Sequence, residues 1–476
     1  MSRASIVIVG GGISALAAAW ELSGAANGPD EATPRIEVIE ASERVGGSLA
    51  TATFAGRTID LGADGFLARR PEAVALVNEL GIEDQLEAIS ESGAWLWSRG
   101  KLHELPKGLV LGVPTSLESI TRFQGVSWRA HLASRRDALA PARLHVGDDA
   151  TIGEITRTKL GRELSYQFIE PMIGGIQAGR IDNLSAKSVF PALYAAAQKG
   201  GSLMRALRPT SSPDVVDATP VFYSLTDGVG SLPTHLAATL KERGVVTRTG
   251  VPVTALRRTP AGSYPLEVDT FATTTPANGV ILATPAAVTA ALIGSYDPAL
   301  DALSLIDSAG AAMVTFSAAR ANVTLPDHGT GILVPLGTSW SGEGSMMVTA
   351  VTFLDRKWPR LRREDDVLLR AHVGRSDDSR WSELNDDELI RRVADELAVL
   401  LPTWSSPKES LVRRWPLGLP QYRLGHERLV EQARVASSHY AVTLAGNAYD
   451  GVGVPASIGS GRRAAREVMG LISATV

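Results

Sequence analysis

The chain opens on a β-branched apolar run, residues 5–9, that stops at three consecutive glycines and resumes as Ala- and Leu-rich sequence to Leu22. That order predicts a strand, a tight turn and a helix from Ala15. A polar, turn-rich stretch over 23–34 leads into 35–40, where apolar and polar positions alternate up to an acid, Glu40. The unit reads β-α-β. Pro71 and Gly81 bracket a further helix, since Pro suits a first turn and Gly a left-handed cap. From Leu105 to about Phe190 the patterning is helical, with a loop over 138–149. A Pro- and Ser-rich surface connection is expected over 208–220 and a helix over 231–244. Apolar or alternating runs at 245–249, 279–283, 312–317, 332–335 and 346–353 predict strands, the last three forming a second sheet. Helices are expected over 365–372 and 386–401, a strand over 440–445, and a closing helix from Ser460.

At 476 residues and 44% hydrophobic content the chain exceeds one ordinary core and should divide into two or three domains. A net charge of -4 gives no field that draws it to nucleic acid, so the expected partner is a small molecule. The absence of cysteine excludes disulfides, a cysteinyl metal site and a flavin tethered through sulfur. The opening run is no signal peptide, because glycines interrupt its apolar part. Residues 280–294 are broken by Thr284, Pro285 and Thr289, short of the roughly 20 a spanning helix needs. No transmembrane segment is expected, and the protein reads as cytoplasmic, with peripheral membrane contact left open. None of the eight histidines has metal-ligand spacing, and each reads as structural or surface.

Gly10, Gly11, Gly12, Ile13, Ser14 and Ala15 match G-x-G-x-x-G/A between a strand and a helix. Gly10 allows the turn, Gly12 lets backbone approach a pyrophosphate, and small Ala15 lets helix pack on strand. The phosphates would meet the helix N-terminus, where unsatisfied N–H groups favour negative charge. Glu40 would accept from the adenosine ribose, at a spacing of 30 residues after Gly10 that the 23–34 loop explains. A nicotinamide enzyme satisfies that fingerprint too, so two other places select FAD. Gly46 and Gly47 follow the acid and let the chain pass close to a pyrophosphate. The side-chain-poor run over 445–456 can lay N–H groups against a planar electron-accepting ring. No second Gly-rich βαβ unit is present for NADPH, which leaves dioxygen or an external acceptor to reoxidise the flavin.

These motifs resemble the protoporphyrinogen and coproporphyrinogen oxidase family, within the flavin amine oxidases, along nearly the whole chain. The 9–14, 38–42 and 452–455 segments are shared with many amine-oxidase relatives. More specific are Leu105-Pro106-Lys107-Gly108, Gly112-Val113-Pro114-Thr115, and Glu170-Pro171 with Ala178-Gly179 and Phe190-Pro191. Lys357-Trp358-Pro359 and Leu419-Pro420-Gln421-Tyr422 with Gly425-His426 continue the pattern. The resemblance implies an α/β (α+β overall) architecture with a Rossmann-like FAD-binding domain, a discontinuous substrate domain and a mostly helical region. The expected division is 1–75, 221–290 and 411–476 for FAD, 76–104 and 291–410 for substrate, and 105–220 for the helical region. It implies non-covalent FAD held by Gly10 to Ala15, Glu40, Ala41, Gly47, Ser48, Gly62, Ala63, Asp64, Gly65, Val253, Trp415, Gly446, Val452, Gly453 and Val454. Ala15 replaces the family's usual glycine, and Ser48 stands where relatives carry Arg or Lys, so one charged contact is missing.

The implied reaction removes hydrogen from the bridging carbons of a porphyrinogen, with dioxygen as acceptor and hydrogen peroxide as product. It needs an oriented flavin and a dry cavity more than a strong acid or base, and the sequence offers no catalytic constellation. Lys187, Lys199, Arg205 and Arg208 are candidates for substrate propionates, with a solvated face as the simpler reading. Coproporphyrinogen III is favoured over protoporphyrinogen IX, and product transfer by docking to a ferrochelatase is an expected possibility. A flavin amine oxidase, a carotenoid desaturase and a non-catalytic flavin-binding module remain alternatives.

Overall fold

Five short strands rich in Val, Ile and Leu form a parallel sheet in the order Val246–Arg248, β2 (Arg35–Ile39), β1 (Ser5–Val9), Gly279–Leu282 and Val442–Leu444. The computed structural model describes residues 3–31, 33–139, 144, 146–209, 220–259, 264–340 and 344–473. The central strands Ser5–Val9, Gly279–Leu282 and Val442–Leu444 are mostly buried because both faces are covered, while the edge strand Val246–Arg248 is largely exposed. Ile6, Ile8 and Val38 point into one core with α1 (Ile13–Leu22) and α2 (Val454–Ser473), while Val7, Val9 and Ile39 point into the other. Helix α2 crosses α1 backbone to backbone: a Cβ on Gly461 would lie 2.0 Å from the carbonyl oxygen of Ser14.

A seven-stranded sheet runs in the order β3 (Glu409–Pro420), Ser308–Ala319, Asp366–Val373, Val348–Phe353, Gly331–Leu333, Trp95–Ser98 and Lys101–Glu104. All its pairings are antiparallel except that of Gly331–Leu333 with Trp95–Ser98. Helix Asp386–Leu400 covers one face and is closed by an Asn385–Glu388 capping box. Helices and loops occupy most of 118–207 around their own apolar core, which includes Phe168, Ile169 and Leu193.

Two expectations need correction. Residues 365–372 were expected to be helical, but Asp366–Val373 is a central strand paired on both edges. Its neighbours bury both faces, so its apolar run lacks the alternation that separates a strand from a buried helix. The closing helix starts at Val454 rather than Ser460, because Pro455 fits a first turn and Gly459 and Gly461 are tolerated inside it. The connection expected over 208–220 lies outside the described residues from 210 to 219, as does part of the 138–149 loop.

Candidate dinucleotide site

At the end of β1 the Gly10 amide donates to the Ile39 carbonyl at 2.8 Å, and Val9 accepts from the Ala283 amide at 2.8 Å. Gly10 sits at φ +102°, and a Cβ there would meet the Ala283 carbonyl at 2.6 Å. Gly12 differs. Its backbone is extended, at φ −69° and ψ 173°, and a Cβ would find nothing within 4 Å. The open space at Gly12 therefore lies on the ligand side of the turn. No side chain caps α1 and no acid occupies its first turn, so its leading N–H groups are free to take an anion. Ala15 is fully buried behind them.

Glu40 closes the adjacent strand. Its carboxylate accepts from the Gly11 amide at 2.5 Å and from the Ser42 amide and hydroxyl at 2.8 and 2.6 Å, with exposed Ala41 between. The Gly46 amide donates to Gly11 at 2.8 Å, which ties the second glycine pair to the first turn. A Cβ on Gly47 would approach the Cα of Gly12 at 3.3 Å, and the following Ser48 is exposed. Val253 opens a hairpin beside Glu40, whose carbonyl accepts from the Val251 amide at 2.9 Å.

The predicted segment 62–65 lies under β3. Trp415 Nε1 donates to the Leu61 carbonyl at 3.0 Å, and a Cβ on Gly62 would strike the Ser48 carbonyl at 2.2 Å. Exposed Ala63 leads to Asp64, which pairs with Lys357 Nζ at 2.8 Å, and Gly65 packs on the Trp358 ring. Burial alone would push the Asp64 carboxyl up, but Lys357 and Arg370 hold it well below the usual carboxylate range. Nearby Asp60 is pushed up to about 6 by burial, against the pull of the Gly230 amide and Arg360. His372, behind Arg370, is pushed down to about 4 by burial and that guanidinium, so it is a neutral imidazole near pH 7. Two buried loops thus reach the site through charge pairs rather than apolar packing.

A cavity of about 410 Å³ brings Gly12, Ile13, Ser14, Ser48, Trp415 and Gly446 together on one wall system. Gly446, at φ +131°, donates to Ser460 Oγ at 2.9 Å and, like Gly453, has open space where a Cβ would stand. Val452, Gly453 and Val454 form the entry to α2 rather than the cavity wall. Gly10, Gly11, Ala15, Glu40, Ala41 and Val253 stand behind or beside it, and Gly62 to Gly65 lie below Trp415. The sequence reading missed the opposite wall, Ala283, Thr284, Pro285 and Leu417. The signal was present as the Thr-Pro break that ends an apolar run, which served only to exclude a membrane span. The space and the donors suit a dinucleotide: open glycines for close backbone approach, an uncapped helix end for phosphate, and a carboxylate beyond it for ribose hydroxyls.

A second cavity, of about 1160 Å³, lies between the helical region and helix His426–Ser438. Lys187 at its edge is paired with Glu427 at 2.8 Å, while Lys199, Arg205 and Arg208 are exposed. Tyr422 stacks on His426 at 4.1 Å, and its hydroxyl accepts from the Gly451 amide at 3.0 Å. Burial pushes His426 down to about 4.

Comparison with known proteins gives consistent matches. The family model described as flavin containing amine oxidoreductase matches residues 13–469. The chain is similar to coproporphyrinogen III oxidase of Mycobacterium leprae, at 34% identity over 98% of this chain and 98% of the relative. Similarity to the Bacillus subtilis coproporphyrinogen III oxidase is 32%, over 98% of this chain and 97% of that one. Among solved structures, a protein from Exiguobacterium sp. 255-15, provisionally assigned as a protoporphyrinogen oxidase, superposes with TM-score 0.84 at 31% identity, covering 98% of each chain.

Proposed function

Because the chain belongs to the flavin-containing amine oxidoreductase family, and a flavin cofactor goes with that membership, we propose that it holds FAD non-covalently and oxidises coproporphyrinogen III to coproporphyrin III. What carries this reading is the full-length likeness to coproporphyrinogen III oxidases of two distant bacterial groups. The open glycine turn above it suits the dinucleotide.

Bound FAD would supply a two-electron acceptor that dioxygen returns to its oxidised state, with release of hydrogen peroxide; repeated three times, this carries a porphyrinogen to the porphyrin. The protein's own part is placement. The N–H groups of Ile13 and Ser14 would take the pyrophosphate, helped by the α1 dipole. The Glu40 carboxylate would accept from the adenosine ribose, and Val253 would border the adenine. Ala41, Gly47 and Ser48, then Gly62, Ala63, Asp64 and Gly65, would line the path toward the ring, with Trp415 above them. The N-terminal end of α2, entered through Gly446, Val452, Gly453 and Val454, would direct N–H groups at the charge that develops on the ring. His372 and His426 are neutral near pH 7 and offer no imidazolium for general acid catalysis. This agrees with a reaction limited by orientation and exclusion of water.

We assign the activity to the cytoplasm, with product transfer by docking to a ferrochelatase. No helix among the described residues is long and apolar enough to cross a membrane. The test is flavin absorbance of the purified protein, followed by aerobic addition of coproporphyrinogen III and, separately, protoporphyrinogen IX with porphyrin fluorescence as readout. Faster enzyme-dependent fluorescence from coproporphyrinogen III, with peroxide release, is expected. Preference for protoporphyrinogen IX would reassign the substrate, and a yellow protein inert to both would overturn the reaction.

A further inference from the structure

Two guanidinium groups near the dinucleotide cavity feel each other's charge, and neither forms an ion pair among the described residues. On β3, Arg413 and Trp415 stand two residues apart and share one side of the strand, while Arg414 points to the other. Arg414 is fully engaged there, with Asp386 at 2.8 Å and the carbonyls of Trp381 and Leu384 at 2.7 and 2.8 Å. Arg413 lies over the Trp415 ring, 4.2 Å from its centroid, and Trp415 walls the cavity. Its Nε is buried without an acceptor, and it makes no ion pair among the described residues.

Arg44 approaches from the glycine loop. It donates to the carbonyls of Gly47 at 2.7 Å, Val45 at 3.0 Å and Leu49 at 3.1 Å, bonds that orient its head and leave its charge unmatched. Burial and the field of Arg413 both pull the Arg44 pKa down, and only Glu40 opposes them. Other guanidiniums in the protein, among them Arg57, Arg360, Arg434 and Arg463, each face a carboxylate. Of the loop that carries Arg44, Gly46 and neutral Ser48 line the cavity. Like charges drawn together are costly unless an anion sits between them, and guanidinium is the group best shaped to bind phosphate oxygens.

We propose that Arg413, with Arg44, binds the diphosphate bridge of the dinucleotide flavin, from the side opposite the α1 N-terminus. The proposal rests on the reading that FAD is the cofactor. It makes the seven-stranded sheet a direct cofactor ligand, and makes affinity depend on the phosphates rather than on the isoalloxazine ring. Arg413 is a binding residue that no sequence motif marks.

The test uses the full-length protein stripped of flavin and titrated with FAD and with riboflavin, following flavin fluorescence, for the wild type, Arg413→Gln and Arg413→Lys. Charge-assisted contacts of this kind predict an FAD dissociation constant raised about 10- to 100-fold in Arg413→Gln, with riboflavin binding unchanged. The dependence of FAD affinity on salt should become shallower, and Arg413→Lys should recover part of the loss. Equal loss of FAD and riboflavin would make Arg413 a support for Trp415 and overturn the proposal, as would FAD binding by Arg413→Gln at wild-type strength. A wild type that takes up riboflavin and FAD equally well also overturns it while leaving a flavin site in place. A wild type that takes up neither overturns the cofactor reading itself.

Discussion

Lys357 Nζ lies 2.8 Å from Asp64 Oδ1, an ion pair whose side chains are each only 16% exposed and whose partners are 293 positions apart. It joins the helical turn Leu354–Lys357 to the loop beneath Trp415. Replacing Lys357 with Met leaves Asp64 desolvated with Arg370 as its remaining cation. A loss of about 3 kcal/mol in unfolding free energy at pH 7 is expected, the lower end for breaking a buried pair. Asp64 is held below its unfolded pKa, so its stabilisation is present above about pH 4 and disappears as pH falls further. Urea unfolding at pH 7 and at pH 2 should therefore show a wider gap between variant and wild type in the first than in the second. An equal gap at both would refute the role assigned to the pair.

Asp60 has the opposite sign. Its carboxylate accepts from the Gly230 amide at 2.8 Å and Arg360 Nη2 at 3.0 Å, yet burial lifts its pKa to about 6. The folded state then binds a proton that the unfolded chain has released between about pH 4 and pH 6. Stability from that proton is fully present below about pH 4 and is lost as pH rises through 6. Relative to Asp60→Asn, the wild type should lose on the order of 2–3 kcal/mol across this window and then level off. A difference that stays constant from pH 4 to pH 7 would count against it.

The first and third glycines of the turn should fail in different ways. At Gly10 a methyl meets the Ala283 carbonyl at 2.6 Å and the backbone is left-handed, so Gly10→Ala should lower the melting temperature even without flavin. At Gly12 the added group enters open space and the backbone is ordinary. Gly12→Val should purify with an unchanged apo-protein melting temperature and no bound flavin. Circular dichroism melts and the ratio of absorbance at flavin and protein wavelengths separate the two cases.

Glu40→Ala removes the acceptor of the Gly11 and Ser42 amides. A stability loss of about 1–3 kcal/mol follows from leaving such donors unpaired. If the carboxylate also holds the ribose, FAD affinity should fall while the affinity for flavin mononucleotide, which lacks adenosine, is unchanged. Equilibrium dialysis with both ligands is the measurement, and parallel losses would place Glu40 outside the adenosine contacts.

Local chemistry made the first βαβ unit and the Pro-led helix after it readable: the glycine turn, the acid after β2 and the proline at a first turn each follow from contacts within a few residues. What stayed hidden depends on partners far along the chain. The strand Asp366–Val373 carries Arg370 and His372 in a run that only its two neighbouring strands identify as extended. The start of α2 at Val454 was masked by Gly459 and Gly461, the second of which exists because α1 presses against it. The cavity wall at Thr284 and Leu417 has no motif, since its residues are chosen by the strands that carry them rather than by any shared chemistry.

The contact of Gly461 with the Ser14 carbonyl ties the start of the nucleotide turn to a helix far along the chain. Helix α1 is held in part by α2, and the strand Val442–Leu444 at the sheet edge precedes α2 by only a short loop. A chain cut before residue 454 keeps the complete glycine turn and the packing of α1 on helix Leu232–Glu242, but loses the brace behind Ser14. Loss of α2 should therefore leave a protein that retains flavin poorly with its glycine motif intact.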